Sequence, residues 1–156
     1  MNIIVTKSAE ETKKVAKLFA KDIIGEFQVG KKATIIALVG NLGAGKTTFT
    51  QGFAEGLGIK EKIQSPTFVI LKEYEITSEK RKAKSEKFRY FYHIDCYRLK
   101  NEKDAKTIDL EEIIKNPENL VLIEWAERVK KILPKKQLLT IKFFHINEET
   151  RKIVFN

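Results

Sequence analysis

The chain has 156 residues, of which 42% are hydrophobic and three are proline, and this composition fits one globular domain over residues 1–156. A single cysteine, Cys96, excludes an internal disulfide framework, and no apolar run approaches the roughly 20 residues that cross a bilayer. The amino terminus lacks the features of a secretory signal, so we expect a soluble, cytosolic protein without membrane contact. The net charge of +9 is compatible with a surface for nucleic acid and equally with a solvated, ion-pair-rich surface.

The chain begins with a predicted strand over residues 2–5 and a predicted helix that runs to about Ile24. Ser8 and Glu11 have the spacing of a capping box, which marks the start of this helix. Apolar residues at helical spacing predict its inner face: Val15, Leu18, Phe19 and Ile23. The simplest role for this helix is structural.

A buried strand, a glycine-rich loop and a helix follow in that order. Residues 33–39 are a β-branched apolar run, and residues 40–47 fit G-x-x-x-x-G-K-[ST] at every fixed position. The helix predicted over residues 48–57 has one apolar stripe, made of Phe49, Phe53 and Leu57. This context indicates a phosphate-binding loop.

The residue types of this loop explain its chemistry. Glycines let the backbone N–H groups surround a phosphate chain at the positive end of the following helix. Lys46 is expected to reach the terminal phosphates, and the Thr47 hydroxyl is expected to hold a magnesium ion. The predicted nucleotide-binding residues of the loop are Asn41, Leu42, Gly43, Ala44, Gly45, Lys46, Thr47 and Thr48.

The second half of the chain continues the alternation of strands and helices. Strand patterns over residues 68–76 and 88–96 are separated by a polar, lysine-rich stretch that predicts an exposed hairpin loop at 77–87. A weak helical pattern covers residues 107–114. Two further predictions are a buried strand at 119–124 and a closing antiparallel pair at 138–144 and 152–155. The pattern predicts a three-layer α/β/α P-loop fold with a mostly parallel central sheet and antiparallel additions.

Two carboxylates follow strand patterns and should emerge where their strands end. Asp95 and Glu124 are thereby placed at the carboxyl edge of the sheet, where open α/β sheets bind ligands. From the residues alone, one carboxylate can complete a magnesium shell while the other orients or deprotonates water. Thr67, in Ser65-Pro66-Thr67, fits a threonine that senses the γ-phosphate or a plain proline turn. His93 has no partner at metal-ligand spacing, which favours a core or rim role.

A phosphate-binding loop also occurs in proteins other than ATPases, and three such functions are considered in turn. A GTPase is unsupported, because the residues at 101–104 do not have the order of a guanine-reading motif. A small-molecule kinase with a basic phosphate lid is possible, although the lysine-rich stretch has one arginine and such lids usually rely on several. A binding module that uses ATP only as a conformational ligand is disfavoured by Asp95 and Glu124.

Four motifs in this order and spacing resemble the bacterial TsaE family, small ATPases of tRNA threonylcarbamoyladenosine biosynthesis. They are GNLGAGKTT at 40–48, SPTF at 65–68, HIDCYRL at 93–99 and IEWAER at 123–128. The resemblance implies an ATPase that binds ATP and Mg²⁺ and acts with two partners, TsaB and TsaD, reaching tRNA through that complex. Hydrolysis would reset the complex between turnovers.

The resemblance also implies roles for single residues. Thr47 and Glu124 would hold magnesium, Lys46 would hold phosphate, Thr67 would be the switch threonine and Asp95 would serve catalysis or the outer shell of the metal. At the rim and base pocket it implies Trp125, Glu127 and Thr12. Two features depart from the family pattern: Asn41 replaces the common Asp, and residues 78–87 are an insertion for which a solvated loop is favoured over a tRNA or partner contact.

Overall fold

A seven-stranded sheet organises the structure, a computed structural model that describes residues 2–26, 30–76, 87–100 and 102–156. The strands are β1 (Asn2–Thr6), β2 (Thr34–Val39), β3 (Leu71–Glu75), β4 (Tyr90–Asp95), β5 (Asn119–Glu124), β6 (Leu138–His145) and β7 (Arg151–Phe155). Their order is β1-β7-β6-β2-β5-β4-β3. Strands β4, β5, β2 and β6 are parallel, whereas β1, β7 and β3 add antiparallel. The predicted mixed sheet is confirmed.

Helices cover both faces of this sheet. They are α1 (Ala9–Glu26), α2 (Lys46–Gly56) and α3 (Leu110–Lys115), with 3₁₀ helices over Glu102–Ile108 and Ala126–Ile132. One apolar core joins α1 and α2 to one face, and a second joins the other helices to the opposite face. The three layers predicted from the sequence are therefore present. Among the described residues, none of the helices combines the length and the apolar character needed to cross a membrane.

Helix α1 starts as predicted, and three of the four residues assigned to its inner face pack on the core: Ile23 is buried, and Val15 and Phe19 lie against the buried cluster. The N–H of Glu11 donates to Ser8 Oγ at 3.1 Å, while the Glu11 carboxylate accepts from the N–H of Lys7. The assignment of Leu18 to the inner face was wrong, because its side chain is 62% exposed. Leu18 lies two residues after the buried Ala16, which at about 100° per residue places it on the opposite side of the helix. Ala16 and Ala20 complete the inner face, and the backbone at Lys13 packs closely on Gly52 of α2.

Several element boundaries differ from the sequence patterns. The strand predicted over 68–76 begins only at Leu71, because residues 67–69 form a turn and Ile70 has a φ of 68°. The weak helix predicted over 107–114 is two short helices that meet at Asp109, whose φ is 50°. Strand β4 begins at Tyr90, and α2 begins two residues earlier than predicted. The closing antiparallel pair is confirmed. Residues 77–86, most of the predicted hairpin loop, lie outside the described residues.

Aromatic rings fill the core between α2 and the sheet, and Phe53 lies at their centre. Its ring is fully buried and lies 5.7 to 6.4 Å from the rings of Phe91, Phe19 and Phe49. We expect Phe53→Ala to lower the free energy of unfolding by about 3–5 kcal/mol, since the cavity would be lined by side chains that cannot collapse into it. Urea denaturation measures this change. Phe68→Ala is the matched control, because this ring is 83% exposed and its removal should cost less than about 1 kcal/mol; equal losses would contradict the assignment of the core.

Candidate functional site

The candidate site lies at the carboxyl edge of the parallel strands. Strand β2 ends at Val39 and leads into the glycine-rich loop, while β4 and β5 end at Asp95 and Glu124. These two acids are partners in the register of the neighbouring strands, so their side chains emerge side by side on the face that carries α2. A cleft of about 500 Å³ opens between the loop and this edge. This volume falls within the usual range for small-molecule pockets.

The glycine-rich loop has a backbone that needs its glycines. Gly45 has a φ of 97° and Gly43 a φ of 76°, both in the left-handed region that favours glycine. A Cβ at Gly40 would lie 2.6 Å from the carbonyl oxygen of Phe143, so a side chain there would clash with β6. These constraints hold the loop at the start of α2, with its N–H groups at the positive end of the helix.

The side chain of Lys46 is folded back over the loop. It is 4% exposed, and its Nζ donates to the carbonyl oxygens of Gly40 at 2.6 Å and Asn41 at 2.9 Å. The indole of Trp125 lies 4.2 Å from Nζ. Burial lowers the pKa of the Lys46 ammonium, and the nearby carboxylates, led by Glu124, oppose that shift. The site therefore contains a buried cation whose anionic neighbours only partly compensate its loss of water.

Thr47 and Glu124 meet across the site. The Thr47 hydroxyl lies 3.1 Å from each carboxylate oxygen of Glu124 and donates to this group. On its other side Glu124 accepts from His93 Nε2 at 2.9 Å. His93 is fully buried, and its Nδ1 has no hydrogen-bond partner within the described part of the chain. The acceptor role of the carboxylate places a proton on Nε2. His93 thus fixes the orientation of Glu124 from behind the site.

Asp95 is held by a second group of hydroxyls. Its Oδ2 accepts from Thr67 Oγ1 at 2.6 Å and from Ser65 Oγ at 3.1 Å, and its Oδ1 accepts from the N–H of Tyr97 at 2.9 Å. Asp95 itself is 3% exposed. These hydrogen bonds tie the segment after α2 to the end of β4. The contact between Thr67 and Asp95 joins residues 28 apart in sequence, and it holds Thr67 at the cleft.

Most, but not all, of the remaining predicted residues line the cleft. Thr12 lines it but is 1% exposed, and its hydroxyl is bonded to Thr6 Oγ1 and to the carbonyl of Ser8. Trp125 lines it too, with a φ of 57° that turns the chain sharply after β5. The predicted loop residues that line the cleft are Leu42, Gly43, Gly45, Lys46, Thr47 and Thr48. Asn41 and Ala44 are not among its lining residues, and neither is Glu127.

Other residues at the site were not found from the sequence. The hairpin between β6 and β7 supplies one wall through Glu148, Glu149 and Arg151. The Arg151 guanidinium donates to carbonyl oxygens of this turn, and its aliphatic part lies beside Gly45. Nothing local marks this hairpin as part of the site. His93, in contrast, precedes Asp95 by two residues, and that strand spacing could have placed both on one face.

The fold and the site define a P-loop protein of the three-layer α/β class. The defining features are the order of strand, glycine-rich loop and helix and the two carboxylates at the ends of β4 and β5. Comparison with known proteins specifies it further. Residues 6–153 match the family model described as threonylcarbamoyl adenosine biosynthesis protein TsaE. The chain belongs to the TsaE family.

Individual relatives agree with this assignment. The chain is similar to the tRNA threonylcarbamoyladenosine biosynthesis protein TsaE of Bacillus subtilis, with 38% identity over 96% of this chain and 82% of that protein. It is 34% identical to the protein of that name from Haemophilus influenzae, over 70% of this chain and 62% of the relative. A crystal structure of Bacillus subtilis YdiB matches 99% of this chain and 83% of its own, with a TM-score of 0.70 and 34% identity. The family resemblance read from the four motifs is confirmed.

Proposed function

We propose that residues 1–156 form one ATPase domain that binds ATP with Mg²⁺ in the cytoplasm and hydrolyses it in complex with TsaB and TsaD, in support of threonylcarbamoyladenosine modification of tRNA. The contact that carries this proposal joins Thr47 of the phosphate loop to Glu124 of β5. It places a hydroxyl and a carboxylate together at the start of α2, where the phosphate chain of a nucleotide would lie.

The residues present fit both ligands. The loop combines left-handed glycines with a helix N-terminus, which suits a phosphate chain, and the buried Lys46 ammonium would gain an anionic partner. Thr47 and Glu124 offer oxygen atoms, the ligand type that Mg²⁺ prefers. When bound, Mg²⁺ neutralises charge on the phosphate oxygens. Thr47 and Glu124 are therefore the residues that would hold it.

The hydrogen bonds around Asp95 support a catalytic role for this residue beside Thr47 and Glu124. Hydrogen bonds from Thr67, Ser65 and the Tyr97 N–H hold its carboxylate in one orientation. A carboxylate fixed in this way can orient an attacking water molecule and accept its proton. Thr67 shares the hydrogen bond and lines the cleft, so it is placed to respond to the γ-phosphate.

Partner docking is proposed to act through the segment that follows Thr67. Phe68 and Val69, the next two residues, are 83% and 60% exposed. Exposed apolar side chains of this kind are typical of surfaces that bind other proteins. Because Thr67 touches Asp95, a partner that orders this segment and the rim at Trp125 would also complete the hydrolytic site.

Adding purified TsaB, TsaD and tRNA is expected to raise the Mg²⁺-dependent rate of ATP hydrolysis at least about tenfold, which corresponds to ~1.4 kcal/mol of activation free energy. Phosphate release measures the rate, and reactions with EDTA and with each partner alone are the controls. An unchanged rate would contradict partner gating. Tight ATP binding with no hydrolysis under any condition would instead favour a nucleotide-gated module, and phosphate transfer to a small acceptor would favour a kinase.

A further inference from the structure

Basic side chains are concentrated at the sheet edge opposite the candidate site. The four parallel strands begin at this edge, and the segments that lead into them span residues 30–33, 87–89, 115–118 and 133–137. These segments contain one acidic residue, Glu118, and seven basic ones. We call these seven the basic edge: Lys31, Lys32, Lys87, Arg89, Lys115, Lys135 and Lys136. Since the whole chain has 30 basic and 21 acidic residues, the basic edge carries much of the excess.

Backbone and side-chain contacts hold these segments next to one another. The amide of Gln137, in its hydrogen-bonded orientation, accepts from the N–H of Gly30 at 2.7 Å and donates to the carbonyl of Lys32 at 3.2 Å. The N–H of Ala33 donates to the carbonyl of Ile114 at 2.9 Å, which brings the start of β2 to the end of α3. Lysines far apart in sequence therefore share one surface.

Most side chains of the basic edge are open to solvent. Lys31, Lys32, Arg89, Lys135 and Lys136 are exposed, and none forms an ion pair with any residue in the described ranges. Lys115 does pair with a carboxylate, that of Glu112. Lysines kept close together without acidic partners repel one another, so they create a positive potential that favours a polyanion.

The opposite edge has the reverse character. Acidic side chains outnumber basic ones around the cleft, which is lined by Asp95, Glu124, Glu148 and Glu149 against Lys46 and Arg151. Strands of six residues, such as β2 and β5, separate the two edges by about 20 Å. This exceeds the screening length of about 8 Å at physiological salt, so a polyanion at the basic edge would leave nucleotide binding at the cleft unhindered.

We propose that the basic edge binds the phosphate backbone of RNA. Identification of that RNA as tRNA rests on the proposed function. The surface suits backbone contact because lysine is a point charge that pairs with phosphate without reading bases, and such contacts position a nucleic acid independently of its sequence. Binding at this edge would keep tRNA on the chain while the opposite edge cycles between nucleotide states.

The test compares two variants that lose the same charge. K31Q, K32Q, K135Q and K136Q together remove four lysines of the basic edge. K14Q, K100Q, K106Q and K142Q remove four exposed lysines elsewhere and leave the same net charge. Fluorescence anisotropy with a labelled, unmodified tRNA transcript measures affinity between 50 and 200 mM salt, and thermal denaturation verifies that both variants fold.

The edge variant is expected to bind tRNA at least about tenfold more weakly at 50 mM salt, and its slope of log K against log salt should be less steep by about 3. The control variant should stay within about twofold of the parent chain. Equal weakening in both variants, or in neither, would overturn the proposal. Loss of binding to TsaB or TsaD with unchanged tRNA affinity would assign the edge to an acidic protein surface instead. The measurement requires no nucleotide, so its outcome is independent of whether the chain hydrolyses ATP.

Discussion

Glu124→Gln is expected to lower partner-stimulated, Mg²⁺-dependent ATP hydrolysis on the order of 100-fold or more. The substitution removes the carboxylate charge that faces Thr47 at 3.1 Å while retaining the size of the side chain. The amide oxygen of glutamine can still accept from the buried His93 Nε2, so the interior stays satisfied. A neutral ligand at this position binds a divalent cation weakly, and loss of a metal-positioning group commonly costs 10- to 100-fold or more. Phosphate release as a function of Mg²⁺ concentration measures both the rate and the cation requirement.

Glu118→Gln is the matched control for this experiment. Glu118 is exposed at the other end of β5, so it experiences the same change of charge far from the cleft. Both variants are assayed with TsaB and TsaD but without tRNA, because Glu118 lies next to the basic edge. Under these conditions the hydrolysis rate of Glu118→Gln should equal that of the parent chain. If Glu124→Gln also keeps the parent rate and the parent Mg²⁺ dependence, the assignment of Glu124 to the metal is wrong.

Lys46→Met should weaken ATP binding at least about 100-fold, equivalent to ~2.7 kcal/mol. Methionine preserves an unbranched chain of similar length but cannot donate to phosphate. The variant should still fold, because the substitution removes the cost of burying the ammonium, which lowers the pKa of Lys46, while Glu124 keeps its hydrogen bonds from Thr47 and His93. Isothermal titration calorimetry with ATP and Mg²⁺ measures the affinity, and a thermal melt without ligand verifies the fold.

Lys62→Met makes the same substitution at an exposed lysine beyond α2. Its ATP affinity should match that of the parent chain within about twofold. Lys46→Met with parental affinity would show that phosphate binds elsewhere than at the glycine-rich loop, whereas a lower melting temperature in that variant would mean that the two carbonyl contacts of Lys46 stabilise the loop more than its burial costs.

The fold class and the phosphate loop could be predicted because their signals are local. A buried strand, fixed glycines and an amphipathic helix follow one another within about 25 residues, and each position has its own steric or hydrogen-bonding requirement. The same is true of Asp95 and Glu124, since a carboxylate after an apolar run must emerge where its strand ends. Leu18 was misassigned because its apolar character alone does not show which side of the helix it occupies: Ala16, Phe19, Ala20 and Ile23 face the core, and Leu18 lies outside that face.

The amino-acid sequence by itself determined a P-loop α/β fold, its loop chemistry and the two carboxylates at the strand ends. Only the tertiary structure decided which groups meet: Thr47 with Glu124 across 77 residues, His93 behind Glu124, and the β6–β7 hairpin as a wall of the cleft. It also decided where the excess positive charge lies, because parallel strands bring four distant segments to one edge. The physical reason is the same in each case. Local patterns specify backbone conformation, whereas side chains that are distant in sequence become neighbours only through the order and register of the sheet.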